Sequence, residues 1–221
     1  LYAKTDFAEP VAAIFSSETR PYQEALRGLK EELENVRPYF LNQGDPQIPP
    51  SAEVVVAFGA KAALREYPRG TVLIYAMAPG TIIQAKDSVK ICMEPDHAVL
   101  LNNLKLLHPG LKRLGILWKS IRFNGYVDEL RQAAKPFDMA ILDMQIKNSD
   151  DVADQLRALH GKIDAIWLVP DPLLIKAEIL PMFVQYSRSN RMPLFVPTAG
   201  LADQGATAAI GPTFREIGRQ A

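Results

Sequence analysis

Gly161 to Ile175 reads GKIDAIWLVPDPLLI, and the reading of this stretch decides the fold. Ile163, Ala165, Ile166, Trp167, Leu168 and Val169 make a short, nearly unbroken apolar run. Gly161 bounds it on one side and Pro170-Asp171-Pro172 on the other. A run this short and this apolar predicts a strand buried on both faces, the mark of a parallel sheet covered by helices. Asp171 then falls where the strand ends and the next helix begins. Open α/β sheets collect ligands beyond the carboxyl ends of their strands, which would bring this carboxylate to the lip of a cleft. Capping of the following helix is the other role open to an aspartate at such a turn.

Working outward, the same alternation fills the chain. Val11–Phe15 (VAAIF) predicts a strand, followed by the polar turn Ser16-Ser17-Glu18-Thr19. Pro21 suits a first helical turn, and Tyr22, Leu26, Leu29 and Leu33 recur at helical spacing. Val36–Leu41 is a second strand interrupted by Pro38, and 42–51, with Gly44, Pro46, Pro49 and Pro50, is a loop. Glu53–Phe58 is a strand closed by Gly59, Ala60–Glu66 a short helix, and Thr71–Met77 a strand ended by Ala78-Pro79-Gly80. Ser88–Met93 is a further strand candidate. From Asp96 a helix is predicted with Val99, Leu100, Leu104 and Leu107 on one face, stopped by Pro109-Gly110. Leu111–Trp118 is a strand with Lys119-Ser120 at its end, Asn124–Lys135 a helix, and Phe137–Gln145 a strand. Ser149 or Asp150 caps a helix carrying Val152, Leu156 and Leu159. Beyond Asp171, Leu173–Asn190 reads as helix that Pro181 must kink or break. Pro193–Pro197 and Ala206–Ile210 are strands, with Thr198-Ala199-Gly200 ending the former, and Phe214–Ala221 starts a helix.

About nine strands alternating with helices predict parallel sheet. The rhythm restarts at Leu111, which suggests two βα lobes rather than one wide sheet. The expected crossings lie near 88–95 and 211–214.

Composition narrows the function classes. Among 221 residues, Lys+Arg and Asp+Glu both number 25, so the basic excess usual in a nucleic-acid binder is missing. Cys92 is the one cysteine, which rules out an internal disulfide and the paired-cysteine zinc spacings. No apolar run reaches the roughly 20 residues that span a bilayer. The chain opens on Leu1 rather than methionine, and the expectation is a removed upstream segment, with a secretory signal peptide as one candidate.

No catalytic constellation emerges: there is no G-x-S-x-G, phosphate-binding glycine loop or metal-ligand spacing. His97, His108 and His160 fall at helix ends, where surface or capping roles are expected. Ser16 and Ser17 sit at a strand-to-helix turn whose hydroxyls and free N–H groups suit a carboxylate, or simply cap the helix. Gly59 either lets a ligand approach the backbone or serves turn geometry alone. Phe15, Tyr22, Phe58, Tyr75 and Trp118 lie near strand ends, where they could stack on a ligand or pack the core.

Five stretches resemble a known family: AIFSSETRPYQEALRGLKEEL (13–33), AEVVVAFGAKAAL (52–64), LHPGLKRLGILW (107–118), DAIWLVPD (164–171) with NRMPLFV (190–196), and ATAAIGPTFREIGRQ (206–220). In order and spacing they are similar to the substrate-binding proteins of ABC transporters, in the branch with the type 1 periplasmic-binding fold that includes aromatic-amino-acid binders. The resemblance implies an α/β protein of two Rossmann-like lobes with parallel sheets flanked by helices. The first lobe would take 1–92 and 213–221, the second 93–212. It also implies a small molecule, an amino acid or similar, clamped between the lobes and presented to a membrane permease. The protein would lie in the periplasm or otherwise outside the cytoplasm, with a lipid anchor as one option. No cofactor, metal or nucleic acid enters this reading. Ser16, Ser17 and Gly59 from one lobe, and Ser120, Asp171 and Thr198 from the other, are the expected ligand contacts, all at predicted strand carboxyl ends. Two features depart from the family pattern. Ala76-Met77-Ala78-Pro79-Gly80 stands where an aspartate-containing, glycine-rich loop is common, and family members usually run on past the segment that ends here at Ala221. A cytoplasmic α/β enzyme on a small metabolite and a sensing module of the same fold are the alternatives.

Overall fold

The computed structural model describes residues 11–49, 52–121 and 123–221; Pro50 and Ser51, at the end of the proline-rich loop, lie outside this set. Backbone contacts divide the chain into two compact units, one running to Met93 and resuming at Thr213–Ala221, the other comprising Glu94–Pro212.

The first unit contains β1 (Val11–Phe15), α1 (Arg20–Glu32), β2 (Val36–Phe40), β3 (Val54–Phe58), α2 (Ala60–Ala63), β4 (Val72–Ala76), β5 (Ser88–Lys90) and α8 (Phe214–Gln220). Its five strands run in the order β2-β1-β3-β4-β5, and the pairings are parallel. Strand alternation sorts the apolar residues to two faces. Ala12, Ile14, Val55, Ala57 and Tyr75 pack beside α2, whereas Ala13, Phe15, Val56 and Phe58 pack beside Leu29 of α1 and Ile217 of α8. The two helices on that second face touch through glycines. A Cβ on Gly28 would lie 1.9 Å from the Arg215 carbonyl oxygen, and one on Gly218 would lie 1.9 Å from that of Ala25. Arg215 and Arg219 pair with Glu31 and Glu32 along the same seam.

The second unit contains α3 (His97–Leu107), β6 (Arg113–Trp118), α4 (Phe123–Ala133), β7 (Ala140–Gln145), α5 (Val152–Leu159), β8 (Ala165–Leu168), α6 (Leu180–Asn190), β9 (Leu194–Val196), α7 (Ala199–Ala202) and β10 (Ala208–Ala209). The order is β10-β9-β8-β6-β7, again with parallel pairings. All four residues of β8 are buried. Ala165 and Trp167 join a core with Leu100 and Leu104 of α3 and Leu130 of α4, while Ile166 and Leu168 join one with Leu156 of α5 and Phe183 of α6. This double burial is what the apolar run of the sequence predicts.

Several local expectations need correction. The described residues form ten strands rather than nine. Helix does not run from Leu173: turns fill the segment up to Leu180, and Pro181 lies in the first turn of α6, where its missing N–H costs no helical bond. The proline therefore starts the helix instead of kinking it. On α3 the buried face is Leu100, Leu101 and Leu104, whereas Val99 and Leu107 are 54% and 55% exposed. Lys135–Phe137 forms a 3-10 turn closed by Asp138 in the left-handed region (φ 49°), so β7 starts only at Ala140. Strand β5 stops at Lys90 and helix α2 at Ala63, both shorter than expected. The N-cap of α5 is Asp151, preceded by the 3-10 turn Ser149–Asp151; neither Ser149 nor Asp150 takes that position.

Candidate functional site

In the first unit, β1 and β3 are paired with Phe15 opposite Phe58, so the next residues, Ser16 and Gly59, emerge side by side at the carboxyl edge of the sheet. The ladder continues past the strands. The Ser16 N–H donates to the Phe58 carbonyl (2.9 Å), and the Gly59 N–H donates to that of Ala76 (2.8 Å). Gly59 holds φ +93°, a conformation that L side chains rarely adopt. Ser16 Oγ accepts the Ala62 N–H (3.0 Å), tying the β1 turn to α2. Ser17 is half-buried beside it. Thr19, the N-cap of α1, makes no side-chain cap bond, and Pro21 lies in the helix's first turn. These features leave the α1 N-terminus without a side-chain cap, the condition for receiving an anion.

In the second unit, Ser120 follows β6, Asp171 follows β8 and Thr198 follows β9. Asp171 is 0% exposed. Its Oδ2 accepts the N–H groups of Lys119 (2.8 Å) and Ser120 (2.7 Å), and its Oδ1 accepts that of Leu173 (2.9 Å). The carboxylate therefore clasps the end of β6 to the turn after β8, and all three of these donors are main-chain. In this arrangement the carboxylate braces a turn rather than the start of a helix. Ser120 also gives its carbonyl to the Phe123 N–H (2.9 Å), which starts α4. Thr198 is half-buried at the N-cap of α7; its carbonyl accepts the Leu201 and Ala202 N–H groups, and its side chain makes no cap bond.

Each sheet thus brings together its own candidates, Ser16, Ser17 and Gly59 on one, Ser120 and Asp171 with Thr198 on the other. The aromatic candidates divide differently. Phe15 and Phe58 are fully buried and stack face to face at 4.8 Å, with Phe40 stacked on Phe15 at 5.2 Å. Tyr75 and Trp118 are also core residues; Tyr75 Oη accepts the Ile83 N–H (3.3 Å), and Trp118 Nε1 donates to Asp143 (3.3 Å). Tyr22 is only half-buried, and its hydroxyl lies over Gly59. Sequence reasoning placed it among the possible stackers and missed the hydroxyl. His97 packs its ring against Tyr126 (4.7 Å between centroids), and His108 and His160 are helix C-caps. Among the described residues no group of three or more His, Cys, Asp or Glu side chains could hold a metal ion.

Two parallel five-stranded sheets flanked by helices match the type 1 periplasmic-binding-protein fold of the solved structures given below. Its family is shown by a profile described as ABC transporter substrate binding protein, which matches residues 96–221, over half the chain; the protein belongs to that family. A curated relative, the "Tyrosine-binding protein" of Clostridioides difficile (strain R20291), is 26% identical over 123 residues, 55% of this chain and 35% of the relative's length. Two solved structures share the fold. A ligand-free, open substrate-binding protein with adhesive properties from Clostridium difficile gives a TM-score of 0.69 at 16% identity, covering 96% of this chain and 81% of the other. An ABC domain in complex with L-Trp from Streptococcus pneumonia gives 0.60 at 14% identity, covering 95% and 81%.

Proposed function

We infer that this protein is the extracytoplasmic solute-binding component of an ABC transporter, that it takes an amino acid as its solute, and that it presents the bound form to a membrane permease. The observation that carries the reading is the family match over residues 96–221. The relative named for tyrosine binding and the neighbour holding L-Trp point to an aromatic amino acid. The chemistry at the strand ends supports the same class. Ser16 and Ser17 offer hydroxyls beside the uncapped start of α1, suited to an α-carboxylate. At the second unit's own strand ends Ser120 and Thr198 carry hydroxyls, and Asp171 fixes the turn that carries Ser120. Binding would act by favouring one arrangement of the protein over another, not by chemistry on the solute. Calorimetric titration with L-tyrosine, L-tryptophan, other amino acids, sugars and nucleosides tests this. Saturable heat with an aromatic amino acid, and no conversion of it, is the expected result. Heat with sugars or nucleosides alone would overturn the amino-acid assignment.

A further inference from the structure

We propose that Tyr22 and Ser16 form a paired-hydroxyl subsite for the carboxylate of the solute, with Gly59 present to leave room for both. This rests on the amino-acid reading above and deepens it. The geometry comes from three elements. A Cβ built on Gly59 would lie 2.2 Å from Tyr22 Oη and 2.5 Å from Ser16 Oγ, so both oxygens occupy space that only a residue without a side chain leaves them. Tyr22 Oη makes no hydrogen bond among the described residues. Ser16 Oγ uses an acceptor site on the Ala62 N–H, which leaves its own proton to donate. Two O–H donors packed over the same glycine suit an anion with two oxygens, and O–H···O⁻ bonds are the short, strong kind. Neither oxygen is free to wander. The Tyr22 ring meets Phe15 edge-on (6.3 Å between centroids), and Phe15 is locked between Phe40 and Phe58. Ser16 is fixed through its own N–H to Phe58 and through Ala62. A rigid aromatic stack under the donor is the support that a precise polar contact requires.

The test is a cycle of two proteins and three probes by calorimetric titration. Wild type and Tyr22→Phe are each titrated with L-tyrosine, with L-tyrosinamide and with tyramine, the last two lacking the carboxylate. The substitution removes one oxygen and keeps the ring. The expected result is a loss of about tenfold to a hundredfold for L-tyrosine in Tyr22→Phe, the size of one hydrogen bond to a charged group. The amide and amine should bind both proteins weakly and alike. The same loss for all three probes would overturn the inference, because it would reflect packing and not carboxylate recognition. Unchanged affinity for L-tyrosine would also overturn it, while leaving the amino-acid reading intact. Absence of heat from wild type with L-tyrosine, repeated with L-tryptophan, would overturn both.

Discussion

Replacing Asp171 with asparagine should cost folding stability and leave solute affinity nearly unchanged. The carboxylate accepts three main-chain N–H groups from a position with no exposed surface. An amide offers one oxygen. Turned toward Lys119 and Ser120 it keeps those two bonds in weaker, uncharged form, and its NH₂ then faces the Leu173 N–H. One charge-assisted bond is lost outright, at about 1.5–3 kcal/mol, and a buried N–H is left without an acceptor. A total near 3 kcal/mol follows, which lowers the melting temperature of a chain this long by roughly 6–12 °C. Scanning calorimetry of both proteins gives the shift, and titration with L-tyrosine below the transition gives the affinity. An unchanged melting temperature with a tenfold or greater loss of affinity would refute the reasoning and return Asp171 to the solute.

Gly218→Ala should destabilise the first unit, since the added Cβ would meet the Ala25 carbonyl oxygen at 1.9 Å and backbone cannot swing aside. Helix propensity gains about 1 kcal/mol from the change, overpacking costs about 1–3 kcal/mol, and at this distance the upper end should win; a raised urea midpoint would show the helices to be farther apart. Asp164 has its carboxyl held below the usual range, first by the Arg113 guanidinium and then by the Lys112 and Arg113 N–H groups. A depressed folded value means the stabilisation is present above the unfolded value of about 3.9 and is lost as pH falls through the folded one. Asp164→Asn should therefore reduce stability at pH 7 and flatten its decline in acid, and an unaltered pH profile in urea unfolding would count against this.

Strand positions were legible because burial on both faces writes an unbroken apolar run into the chain, as in Ala165–Leu168 and Val54–Phe58. Element type followed from local chemistry too: Pro21 opens α1, and Asp96 caps α3 by accepting the Ala98 and Val99 N–H groups. Element ends were less legible. Whether Leu173 continues a helix depends on Asp171 accepting the Leu173 N–H while its other oxygen holds Lys119 and Ser120, and those partners lie 52 and 51 residues away. The apolar face of α3 shifted for a similar reason, because α4 and β6, not the helix's own periodicity, decide whether Val99 or Leu101 is covered.

The sequence by itself determined the alternation of strand and helix and the polar turns at strand ends, since both depend on neighbours within a few residues. Tertiary structure alone decided what those turns do. Parallel register sets Ser16 beside Gly59, and the packing of α1 brings the Tyr22 hydroxyl over Gly59. The same long-range pairing turns the Asp171 carboxylate inward, and a glycine-on-backbone crossing seats α8 against α1. Each of these is a distance between residues far apart in the chain, fixed by packing that no local pattern encodes.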